Sequence, residues 1–136
     1  MSQQVFRVRN DLAEVERLNN EMAGLWAREG LPADSEMDVT LALEEVVSNV
    51  IRHGCTPGRE YDIQVHFQAA DGAVEVEVTD DAMAFDPLSL PPPNLDVPIE
   101  QRKAGGLGVF LVRELMDEVS YQRVDGRNHF KFRKLL

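Results

Sequence analysis

The stretch 41–54, LALEEVVSNVIRHG, constrains this chain more than any other. Val39, Leu43, Val46, Val47 and Val50 recur at the spacing of one helix face, so this side must pack inward against another layer. Glu45 and Asn49 fall one turn apart on the same side of that helix, about 6 Å along its axis. A polar stripe of this kind is ordinarily the solvated side of an amphipathic helix. Only features elsewhere in the chain can give it a chemical meaning.

The remaining elements follow from periodicity and turn residues. Residues 3–9 alternate Val5, Arg7 and Arg9 against Phe6 and Val8 and predict a short strand. A first helix starts after Asn10 or Asp11 as cap, carries Leu12, Val15, Leu18, Met22, Leu25 and Trp26, and stops at Gly30. Trp26 is expected in the core. The second helix takes Asp34 or Ser35 as cap and ends at Gly54. Residues 61–68 and 74–78 alternate around Asp71-Gly72, and 118–124 and 129–133 around Asp125-Gly126, so two hairpins are predicted. A last helix over 109–116 follows Gly105-Gly106-Leu107-Gly108. Helices on one face of a mainly antiparallel sheet make an α+β two-layer sandwich, with three helices covering the sheet.

At 136 residues the chain suits a single domain spanning 1–136. Residues 79–103 lose all periodicity and hold five prolines, Pro87, Pro91, Pro92, Pro93 and Pro98. A loop this long in a small domain marks a functional lid or a disordered segment. The formal net charge of −10 argues against a surface that binds phosphate backbones, so nucleic acid is not an expected partner. The only cysteine, Cys55, has no intrachain partner, and no run of about 18 apolar residues or signal peptide is visible. A reduced thiol, no membrane association and a cytoplasmic location are expected.

Three motifs stand in order: Glu45-x-x-x-Asn49 on a helix, the segment DDAMAFDP from Asp80 to Pro87 after a strand, and GGLG at a helix start. Glycines before a helix let backbone N–H groups face an anion, and the helix dipole adds to the attraction. An asparagine amide oxygen suits magnesium, which keeps several waters and bridges to substrate phosphates. A carboxylate beside it can accept a proton from an attacking hydroxyl. An aspartate at a strand end can accept from an adenine amino group. Each motif alone has a plain structural reading: a solvated helix stripe, a turn residue and a hinge.

In combination, LALEEVVSNVIRHG, VTDDAMAFDP and AGGLGVFLVRELMDEVSY resemble the N box and the two glycine-box regions of the histidine-kinase-like ATPases of the Bergerat (GHKL) superfamily. Within it the chain is most similar to the bacterial anti-sigma-factor serine kinases. The Phe85-Asp86-Pro87 ending and the short chain favour that branch over sensor histidine kinases, which need a dimerisation helix with a phospho-accepting histidine. The resemblance implies that Glu45 is the general base and that Asn49 is a ligand of Mg2+. It places Asp80 on the adenine amino group, Ala82 beside the nucleotide, and Gly105, Gly106, Leu107 and Gly108 along the phosphates, with an ATP lid over about 81–104. Arg102 and Lys103, just before the glycines, are candidates to close on the terminal phosphate.

The implied reaction is phosphorylation by ATP of a serine on a small anti-anti-sigma (STAS-type) protein by a kinase that otherwise holds a sigma factor. Homodimers are common in that branch, and nothing in this chain's pattern specifies one. Ala82 departs from the usual glycine; its methyl group and aversion to positive φ lead to an expectation of weakened ATP binding. The competing class is a non-catalytic binding module with a decayed nucleotide pocket. A third is an ATPase fragment of a larger sensor system. Glu44, about 100° from Glu45 around the helix, is expected to be a surface or helix-packing charge, and His53 a structural residue.

Overall fold

Both Asp-Gly pairs adopt left-handed backbone: φ is 53° and 75° at Asp71 and Gly72, and 50° and 78° at Asp125 and Gly126. Two successive positive φ values define the tight turn whose twist matches that of paired strands. Each turn therefore sets a register, pairing Ala70 with Ala73 in one hairpin and Val124 with Arg127 in the other. The computed structural model describes residues 2–89 and 106–136. In chain order it contains β1 (Ser2–Val8), α1 (Glu14–Glu29), α2 (Ala33–Asn49), β2 (Ile63–Ala70), β3 (Ala73–Asp80), α3 (Gly106–Leu115), β4 (Glu118–Val124) and β5 (Arg127–Leu135). Among the described residues no helix is long and apolar enough to cross a membrane.

The five strands form one sheet in the order β1-β2-β3-β5-β4, with every neighbouring pair antiparallel. β5 thus lies between β3 and its own hairpin partner, which sets Asp80 opposite Asn128. Alternation gives the sheet one apolar face, with Val65, Phe67, Val76 and Phe132 buried beneath the helices. Leu18, Met22 and Leu25 of α1 and Val39, Leu43 and Val47 of α2 fill the space between the layers. Trp26 meets Phe67 edge-on at 5.7 Å, and its indole N–H donates to the Pro32 carbonyl at 3.0 Å. The tryptophan belongs to the core, as expected. The two-layer α+β sandwich is the architecture the pattern predicts.

Helix boundaries differ in instructive ways. Gly30 ends α1 with φ 64° as expected, but neither Asn10 nor Asp11 caps it. Asn10 instead donates to the Arg59 carbonyl, while Asp11 accepts from the Ala13 N–H. The residue before α2 is Pro32, not Asp34 or Ser35, and the Ser35 hydroxyl donates to the Pro32 carbonyl at 2.7 Å. Pro32 needs no N–H there, and its fixed φ suits a helix entrance. After Asn49 the helix widens into a π turn, Val50–Gly54. That turn carries the Gly54 carbonyl to the Met83 N–H, 3.2 Å away, joining the end of the helix to the loop after β3.

Candidate functional site

Glu45 and Asn49 occupy the last turns of α2, beneath the point where α3 begins. Asn49 is buried, and among the described residues its amide has no hydrogen-bond partner. Glu45 is half-buried; burial pushes its carboxyl upward from the usual range, the neighbouring Glu44 charge adds to this, and Arg52 opposes it. Glu44 is itself half-buried rather than fully on the surface. The structure brings Glu45 against the glycine turn directly. A Cβ added to Gly108 would overlap the Glu45 carboxylate, with its carboxyl carbon only 3.2 Å away.

The glycine motif does more than precede a helix. α3 begins at Gly106, so Gly106, Leu107 and Gly108 form its first turn, rather than a lead-in to a helix starting at Val109. First-turn N–H groups have no intrahelical acceptor, which suits them to an anion. Gly105, Arg102 and Lys103 lie outside the described residues, as does most of the expected lid, residues 90–104.

Asp80 ends β3 with its side chain buried at 2% exposure. Its Oδ1 accepts from Asn128 Nδ2 at 2.9 Å and from the Ala82 N–H at 3.0 Å. Burial raises the carboxyl above its ordinary range, and those two hydrogen bonds partly offset the rise, with help from Arg123 and Arg127. Asp80 and Asn49 line one cavity together with Phe85, Val109, Tyr121 and Asn128. The cavity is thus mostly apolar with a few convergent polar groups, the usual make-up of a small-molecule site. Among the described residues no three His, Cys, Asp or Glu side chains converge as a metal site.

Ala82 sits differently from its expected place. Among the described non-glycine residues only Asp71 and Asp125 have positive φ, so alanine is unstrained at this position. Its methyl is buried and faces Gly54: a Cβ added there would lie 3.1 Å away. Ala82 lines a neighbouring surface hollow with His53 and Cys55, not the Asp80 cavity. Arg123 holds its carbonyl at 3.0 Å. His53 stacks on Phe85 with ring centres 5.6 Å apart, in keeping with a structural role. Asp86 closes the short 3-10 turn Pro87–Ser89, accepting from the Leu88 N–H.

Sequence reasoning passed over Asn128, Tyr121 and Arg123. Only one signal was available, an asparagine in a strand where branched and aromatic residues prevail. Its partner Asp80 is distant in sequence and is reached through a strand pairing that no turn dictates.

Comparison with known proteins agrees with this fold. The serine/threonine-protein kinase BtrW of Bordetella bronchiseptica is 33% identical over 91 residues, 67% of this chain and 64% of BtrW. The serine-protein kinase RsbW of Staphylococcus aureus (strain JH9) is 27% identical over 110 residues, 77% of this chain and 69% of RsbW. The solved structure of the RsbU and RsbW domains of Rv1364c from Mycobacterium tuberculosis superposes with TM-score 0.70 at 17% identity, covering 100% of this chain and 33% of that one. A histidine kinase domain from the Erythrobacter litoralis EL346 blue-light activated histidine kinase gives TM-score 0.56 at 17% identity, over 92% of this chain and 60% of that one. At that identity the two structures show a shared fold alone. Residues 8–134 match the histidine kinase-like ATPase domain, and the chain belongs to that family.

Proposed function

We propose that this chain is an ATP-dependent protein serine kinase of the partner-switching kind, phosphorylating an anti-anti-sigma protein and otherwise holding a sigma factor in the cytoplasm. The observation that carries this is the convergence of Asn49 and Asp80 on one cavity, with Glu45 seated against Gly108 beside it. The names of the kinases BtrW and RsbW support the same reading.

The residues fit a magnesium nucleotide. Asp80 Oδ2 has no partner among the described residues and can accept from an adenine amino group. The unpartnered Asn49 amide supplies a neutral oxygen for magnesium, which would take its remaining ligands from phosphates and water. Gly106 and Gly108 offer backbone N–H groups to phosphates without a Cβ in the way, and Gly105, Leu107, Arg102 and Lys103 are proposed to complete that end. Bound Mg-ATP supplies the phosphoryl group and the charge that activates it. The protein's part is to position the reactants and balance charge. Glu45, raised by burial, is placed to take the proton of a serine hydroxyl. The alternative of a decayed pocket drew on Ala82, and the ordinary backbone and buried methyl there weigh against it.

Calorimetric titration tests the proposal. Saturable Mg-ATP binding that weakens when magnesium is chelated is the expected result. No binding at millimolar nucleotide would reject the kinase reading and leave a protein-binding module.

A further inference from the structure

Asn128 is buried, with 5% of its surface exposed, and it joins four groups from three parts of the chain. Its Oδ1 accepts from the Tyr121 hydroxyl and from the Phe85 backbone N–H at 3.4 Å. Its Nδ2 donates to Asp80 Oδ1 at 2.9 Å and to the Met83 carbonyl at 3.0 Å. Two of these partners have a fixed polarity, because a backbone N–H only donates and a backbone carbonyl only accepts. The amide can therefore be turned one way only, and that way presents an N–H to Asp80.

The consequence falls on the Asp80 carboxylate. Oδ1 is taken by two donors, Asn128 Nδ2 and the Ala82 N–H, which fix the plane of the group. Among the described residues Oδ2 has no partner, and Asp80 lines the cavity. An acceptor held in this way favours a purine carrying an exocyclic amino group and repels the lone pairs of an oxo group at the same position. Resting on the nucleotide reading above, we propose that Asn128 is a positioning residue for base selectivity. Its pinned amide holds Asp80 as a pure acceptor, so that the site takes an amino-bearing purine nucleotide over its oxo counterpart.

The full chain is titrated with Mg-ATP and with Mg-ITP, whose base replaces the amino group by an oxo group. Wild type should favour ATP by about tenfold or more, the worth of a hydrogen bond to a charged group. Asn128→Asp sets acceptor against acceptor and frees Asp80 to turn, so the preference should fall by about tenfold. Tyr121→Phe removes one of the two donors to Asn128 Oδ1, loosening the amide, and should lower the preference by about twofold to threefold. If Asn128→Asp loses cooperative thermal unfolding, Tyr121→Phe decides the matter.

A merely structural role for Asn128 would weaken both nucleotides in equal proportion. An unchanged ATP-to-ITP ratio in the folded variants therefore overturns the positioning role while the nucleotide reading stands. Failure of wild type to bind either nucleotide removes both.

Discussion

At the Asp80 end of the cavity the polar groups are held by strand backbone and by one another. Asp80 and Asn128 face each other across β3 and β5, and their hydrogen bonds extend to Ala82, Met83, Phe85 and Tyr121. At the Glu45 end no described hydrogen bond engages the carboxylate, which rests against Gly108 in the first turn of α3. One end is fixed by register, so its geometry is as rigid as the sheet. The other depends on how two helices meet, where a carboxylate on a flexible side chain can shift without disturbing the core. Base recognition gains from the first kind of support. On the proposed function, Glu45 would accept a proton at one moment and make way for phosphates at another, and gains from the second.

The largest expected effect separates chemistry from binding. Glu45→Gln keeps size and polarity but removes the proposed base, and should lower phosphoryl transfer to a partner serine by about 10²–10⁴-fold. Mg-ATP affinity by calorimetry should stay within about threefold. Transfer that is also within about threefold of wild type would break the assignment of proton transfer to this end. The pH profile sharpens the same point. A raised carboxyl loses its basic form at higher pH than an ordinary glutamate, so the acid limb of the transfer rate should lie on the high side. Glu44→Gln removes the neighbouring charge that contributes to the rise, so that limb should move to lower pH. A shift to higher pH would contradict the electrostatics described.

Next in size is Gly108→Ala. The added Cβ would collide with the Glu45 carboxylate, the far end of a flexible side chain, so Glu45 is expected to swing aside rather than the helices to part. Misplacing a reacting group by about an ångström costs about 10²-fold in rate. Folding stability should hold, because the added Cβ meets only the far end of the flexible Glu45 side chain. Thermal unfolding beside a transfer assay distinguishes the two effects. Loss of stability with transfer unchanged would mean that the contact holds the helices together and does not set Glu45.

Much of this contrast was legible in the sequence, and what was missed follows from how far each interaction reaches. Local rules placed the two Asp-Gly hairpins, the Gly30 stop, and Glu45 and Asn49 on one stretch of helix, because each depends on residues a few positions apart. The start of α3 at Gly106 was misjudged because glycine is a poor helix former, a bias that weighs little in a first turn. The π turn after Asn49 has no sequence signature and arises where the helix end meets the Met83 loop. Asn128 was missed because the pairing of β3 with β5 is a tertiary event. The rigid end of the site was therefore the less legible one.

Ala82 offers the smallest effect and the closest test of that rigid end. The expectation of weakened ATP binding assumed a left-handed backbone at this residue and a methyl facing the nucleotide. Instead its φ is not positive, its methyl is buried toward Gly54, and its N–H and carbonyl are held by Asp80 and Arg123. Ala82→Gly should therefore lower stability by about 1–2 kcal/mol, from one buried methyl lost and a more flexible unfolded chain. Mg-ATP affinity should change by no more than about twofold, since the Asp80 carboxylate keeps its Asn128 anchor. Denaturant unfolding and calorimetry measure both quantities on the same protein. A tenfold gain in affinity would show that the methyl crowds the nucleotide after all, and that the strand end is less fixed than its hydrogen bonds imply.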